Sequence, residues 1–136
     1  MKAKLTICLL LVSLATMASD TLFKRTVRNS EYNVFMTINL YEENVTISGQ
    51  EILGTCYGYL KKNTDSRVWI ITDVQLSPDG KTATLEMVND YGSEDLVAEL
   101  SAEADGKYKL VQKDGSTIKV AGKSKWIKLP KTLFFK

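Results

Sequence analysis

After residue 20, apolar and polar residues alternate along most of the chain, which is the signature of strands with one buried face. Tyr32, Val34, Met36, Ile38 and Leu40 form one apolar face. Ala83, Leu85 and Met87 form a second, with Thr82, Thr84 and Glu86 turned away. Leu96, Ala98, Leu100 and Ala102 repeat the pattern, then Tyr108 with Leu110 and Ile118 with Val120. Turn chemistry separates these runs at Pro78-Asp79-Gly80, Asn89-Asp90-Tyr91-Gly92, Asp105-Gly106 and Asp114-Gly115. Asp-Gly between alternating runs predicts tight hairpins, because glycine tolerates the positive φ such turns require. No long helical period, low-complexity linker or fixed repeat interrupts the series. The pattern predicts an all-β domain, a single antiparallel meander of about eight short strands forming a small barrel or a sandwich.

One hairpin departs from one-sided alternation. Residues 51–60 and 67–76 are apolar on both faces if they pair across the loop Lys61–Ser66. A register that sets Leu60 against Val68 and Gly58 against Ile70 places small residues opposite large ones. It also brings Tyr57, Tyr59, Trp69 and Ile71 onto the second face. That face is expected either to be covered, by Leu22 and Phe23 or by the tail Leu133-Phe134-Phe135, or to stand open as an aromatic platform. Aromatic side chains combine large contact area with a polar tip, which suits them to binding surfaces. Tyr57, Tyr59, Trp69 and Ile71 are therefore the candidate contact residues for a ligand or partner protein.

The N-terminus has its own pattern. Lys2 and Lys4 precede an apolar run, Leu5 to Leu14, and then the small-residue stretch Ala15-Thr16-Met17-Ala18-Ser19. This order predicts a secretory signal peptide over residues 1–19 and an exported domain over 20–136. The apolar run is shorter than the roughly 20 residues a membrane helix needs. Runs such as 116–120 are also too short for the strands of a membrane-spanning barrel, so no membrane span is expected.

Composition narrows the chemistry. Cys8 lies inside the expected signal, so Cys56 remains alone and no internal disulfide can form in the mature chain. A domain of this size without disulfides, behind a short lysine-bearing signal, fits a secreted or periplasmic protein of a bacterial envelope. There is no histidine, which removes the commonest general base and metal ligand. Cys56 thus lacks an imidazole to activate it and reads as a buried, inert thiol.

Charge adds little at the level of the whole domain. Of 18 basic side chains, Lys2 and Lys4 leave with the signal, and the remaining sixteen balance sixteen acidic ones. A neutral domain has no overall field to attract nucleic acid or an anionic membrane, and neither is expected as a partner. The charges are nonetheless segregated. Residues 82–106 hold seven acids and no base, and residues 115–136 hold six lysines and no acid. Cross-strand pairing on the wet face accounts for most of this, with Glu99 and Glu103 set beside Lys107 and Lys109.

Three weaker signals remain. The loop Asn89–Asp95 offers carboxylates to calcium but lacks EF-hand spacing. The basic tail with Trp126 offers contacts to phosphates or an anionic polysaccharide. Carboxylates are the only catalytic groups in number, and a solvated strand face gives no means of splitting their pKa values. No metal, cofactor or enzymatic activity is expected. The sequence favours an exported binding or interaction module of unknown ligand. A structural component of the envelope or an inhibitor of an extracellular enzyme comes next, and a carboxylate-based hydrolase last.

Overall fold

The computed structural model describes residues 21–90 and 94–136. The expected signal peptide, and Tyr91, Gly92 and Ser93 of the acidic loop, lie outside the described residues. Twelve strands follow one another in the described chain: β1 (Lys24–Asn29), β2 (Val34–Asn39), β3 (Val45–Thr46), β4 (Thr55–Cys56), β5 (Gly58–Lys62), β6 (Val68–Leu76), β7 (Thr82–Asn89), β8 (Asp95–Ala102), β9 (Tyr108–Gly115), β10 (Lys119–Ala121), β11 (Trp126–Lys128) and β12 (Thr132–Phe135). Eight of them make one antiparallel sheet in the order β1-β2-β5-β6-β7-β8-β9-β12. Its two edges meet. Arg28 and Lys136 exchange backbone hydrogen bonds of 2.9 Å in both directions, and the Asn29 amide donates to the Phe134 carbonyl at 2.8 Å. The sheet is thereby nearly closed into a barrel, which shields much of the two edges an open sheet would present.

Alternation fills the barrel. Val27, Val34, Met36, Ile38, Leu60, Trp69, Ile71, Ala83, Leu85, Met87, Leu96, Ala98, Leu100, Tyr108, Leu110, Leu133 and Phe135 are buried together in one cluster. Burial of such side chains is worth about 1.5–3 kcal/mol for each of the larger ones. Phe23 joins them, its ring 6.0 Å from that of Tyr108, and the Tyr108 hydroxyl donates to the Leu22 carbonyl. The interior is packed with side chains, as in small barrels generally.

Two excursions leave the meander. Between β2 and β5 the chain makes the β3–β4 pair, with Val45 opposite Cys56. Between β9 and β12 it makes the β10–β11 hairpin, with Val120 opposite Ile127. Ile118, Val120 and Leu129 are buried in the main core, so this second excursion packs onto the barrel. Lys62 Nζ donates to the Ala121 carbonyl at 2.7 Å and ties the hairpin to β5.

The turns match expectation at two sites and depart from it at a third. Asp105 and Gly106 adopt φ 62° and 73° between β8 and β9. In the 78–80 turn the Asp79 carboxylate accepts from Ser77 Oγ at 2.6 Å and from Lys81 N at 3.0 Å. Asp114-Gly115 does not make the expected hairpin. β9 runs through it, Gly115 faces Leu96, and a Cβ at Gly115 would lie 2.6 Å from the Asp95 carbonyl oxygen. Glycine stands there to let β8 and β9 approach, and the strand after it pairs with β11 instead. Among the described residues no helix is long and apolar enough to cross a membrane.

Candidate functional site

The expected hairpin forms only between β5 and β6, because residues 51–57 leave it for the turn Glu51–Leu53 and for β4, and where it forms its register is one residue away from the expected one. Gly58 faces Ile71, Tyr59 faces Ile70, Leu60 faces Trp69 and Lys61 faces Val68. A one-residue slip turns every side chain of one strand to the other face. Trp69 and Ile71 consequently point into the barrel with Leu60, whereas Tyr59 lies on the outer side with Val68. Two anchors hold this register. Gly58 has φ 155°, and a Cβ there would lie 2.5 Å from the Thr37 carbonyl oxygen, so this end of the β2–β5 pairing closes only with glycine at position 58. At the other end Asp90 grips Val68, its carboxylate accepting from Val68 N at 3.0 Å and its own N donating to Val68 O at 3.2 Å.

The aromatic platform is therefore not formed. Trp69 is 2% exposed, Ile71 is fully buried and Tyr59 is 8% exposed, while Tyr57 is half-buried against the main core. The outer face is covered, but not by the segments expected to cover it. Phe23, Leu133 and Phe135 belong to the barrel interior. The cover is the β3–β4 excursion, which packs Ile47 and Cys56 onto Tyr59 and Val68, with Phe35, Val45 and Ile70 at the margin. Phe35 meets Tyr59 edge-on at 6.0 Å.

Cys56 sits in this outer cluster, not in the main core, and its Sγ lies 3.3 Å from the Gly58 carbonyl and 3.5 Å from that of Val45. Desolvation raises its pKa, and the hydrogen bond near Gly58 offsets only part of that. Its thiol is kept protonated, in the direction opposite to that of an activated nucleophile.

The acids give no clustered site. Glu86, Asp95 and Asp114 line an open depression of about 330 Å3 on the outer wall. Among the described residues no three His, Cys, Asp or Glu side chains converge as metal ligands. Of the expected cross-strand pairs, Glu103 and Lys109 meet at 3.7 Å.

A different surface gathers the unusual side chains. Among the described residues six large hydrophobic side chains are exposed: Ile52, Leu53, Leu76, Trp126, Ile127 and Phe134. Four of these lie on two segments joined through a third. Ile52, the most exposed at 96%, and Leu53 occupy the short turn Glu51–Leu53 between β3 and β4. The neighbouring Gln50 donates its side-chain amide to the Ser66 carbonyl at 2.7 Å, fixing this turn to the β5–β6 loop. In that loop Arg67 is held by Asp65, with Nε 3.0 and 3.1 Å from its two carboxylate oxygens. The Arg67 guanidinium in turn lies 4.5 Å from the centre of the Trp126 ring on β11. Residues 48–54, 61–67 and 119–128 carry seven basic side chains and two acidic ones. Lys123, Lys125 and Lys128 are exposed, and Lys119 lies 4.0 Å from Glu94.

Sequence reading marked Trp126 and its lysines but missed Ile52 and Leu53. The available signal was an apolar pair framed by Gly49 and Gly54, both at positive φ in the structure. No family model, curated protein or solved structure matches the chain, so the reading of this surface rests on its own residues.

Proposed function

We propose that the domain is an exported, non-catalytic interaction module that works through its outer surface, at the end where the 48–54 turn, the β5–β6 loop and the β10–β11 hairpin meet. One observation carries the reading: among the described residues, four of the six exposed large hydrophobic side chains fall on these tied segments. Solvent-facing apolar groups gathered in one place mark contact surfaces, whereas single ones scattered over a protein do not. The barrel interior is filled by its own side chains, which favours a ligand held outside over one held within. Export rests on the tripartite N-terminus.

Site-specific photocrosslinking in producing cells tests this. A photoreactive residue at position 126 or 52 should give adducts, and one at position 134 or 76, also exposed, should not. Equal labelling at all four positions, or none at any, would end the proposal.

A further inference from the structure

We infer that this same end of the barrel docks on an anionic phospholipid surface. The inference rests on the interaction-module reading above and names its partner. Neutral overall charge argues against such a surface only if charge is spread evenly, and here it is not. The three tied segments hold Lys61, Lys62, Arg67, Lys119, Lys123, Lys125 and Lys128 against Glu51 and Asp65, with Glu94 the neighbouring acid that meets Lys119. Electrostatic attraction to a charged bilayer acts within about 10 Å, so the local excess decides it.

The accompanying apolar groups select lipid over other polyanions. Trp126 and Ile127 stand exposed on β11 among exposed lysines, and Ile52 and Leu53 are presented on a turn tip. Tryptophan and aliphatic side chains mixed with lysine suit the headgroup boundary, where apolar groups enter and ammonium groups meet phosphate. A protein partner fits less well, since lysine is depleted from protein–protein interfaces. An anionic polysaccharide would use the lysines and the indole but leaves Ile52 and Leu53 without a role. The surface is also preorganised. Asp65 fixes Arg67, Arg67 stacks on Trp126, and Lys62 anchors the hairpin at Ala121.

Co-sedimentation with vesicles of phosphatidylcholine, with and without phosphatidylglycerol, tests the assignment. The protein lacking residues 1–19 should pellet with the anionic vesicles at low salt, be released at high salt, and ignore pure phosphatidylcholine. In a Trp69→Phe background, Trp126 emission should shift to the blue on binding. Lys123→Glu/Lys125→Glu should weaken partitioning by at least about tenfold, since each basic residue near such a surface is worth roughly fivefold. Ile52→Ser/Trp126→Ser should also weaken it, and Phe134→Ser should not. These are surface changes, and thermal melts will show that each variant folds.

No pelleting at low salt, equal pelleting with phosphatidylcholine, or indifference to the lysine reversals would overturn the proposal. So would capture by a soluble anionic polysaccharide with no uptake by vesicles. If vesicles fail while adducts still form at position 126, the module reading survives with another partner; if both fail, both readings fall.

Discussion

Arg67 lies with its guanidinium 4.5 Å from the centre of the Trp126 ring while Asp65 holds its other side. A loop between two barrel strands thereby positions an exposed residue of a hairpin more than fifty positions later. The Arg67 hydrogen bond is the largest influence keeping the Asp65 carboxyl below its ordinary pKa. A group whose folded pKa is lowered adds stability above its unfolded value and loses it as pH falls through the folded one. Acidification through and below the ordinary carboxylate range should therefore loosen Arg67. Collisional quenching of Trp126, measured in a Trp69→Phe background, should rise over that window. Asp65→Asn should show the raised quenching already at neutral pH, with less than about 1 kcal/mol lost, because exposed ion pairs are weak. A pH-independent quenching profile in the aspartate protein would contradict this link.

Gly58 sets the register of the hairpin that separates Tyr59 from Trp69. Gly58→Ala must fit a methyl 2.5 Å from the Thr37 carbonyl oxygen at a φ of 155°. Overpacking and backbone strain together should cost about 3 kcal/mol. Urea unfolding with an unchanged slope and a lowered midpoint is the expected result.

Two buried asparagines differ in a way that predicts opposite outcomes. Asn39 donates to Asn44 at 3.1 Å and accepts from Tyr41 N at 3.2 Å. Asn89, facing Trp69 across β6 and β7, has no partner for its side-chain amide among the described residues. Asn39→Leu should cost about 1–3 kcal/mol by stranding those partners, and Asn89→Leu should be close to neutral or stabilising. Thermal melts of the two variants compare them directly.

Cys56 and Tyr108 both have pKa values raised, in each case chiefly by desolvation. A raised folded pKa adds stability that is complete below the unfolded value and is lost as pH rises through the folded one. Stability should thus decline with alkalinity beyond the ordinary thiol value. Cys56→Ala should cost around 1 kcal/mol at neutral pH and remove part of that decline, as urea midpoints across alkaline pH will show.

How much of this was legible in the sequence depends on what each residue answers to. The one-sided strands were readable because Ala83, Leu85, Met87, Leu96, Ala98 and Leu100 alternate strictly and most of their outer neighbours (Thr82, Thr84, Glu86, Asp95, Glu99 and Ser101) are polar. The two-sided hairpin offered no such guide, since apolar residues on both faces fit either register. Its register is set by contacts outside the hairpin, Gly58 against Thr37 and Val68 against Asp90. Gly115 misled for a related reason: its glycine serves a close approach between strands, and sequence alone does not distinguish that from a turn. The cover over Tyr59 and the tie between the turn carrying Ile52 and the loop carrying Arg67 depend on tertiary contacts such as Gln50 to Ser66, which no local pattern reveals.

The two tryptophans lie in different places: Trp69 is buried in the barrel core, and Trp126 is exposed on the surface proposed for contact. Acrylamide quenching of the single-tryptophan variants Trp126→Phe and Trp69→Phe measures that division directly. Trp69 should emit in the blue and resist quencher, whereas Trp126 should emit further to the red and quench readily. An accessible Trp69 beside a shielded Trp126 would contradict the register, the cover and the proposed surface together.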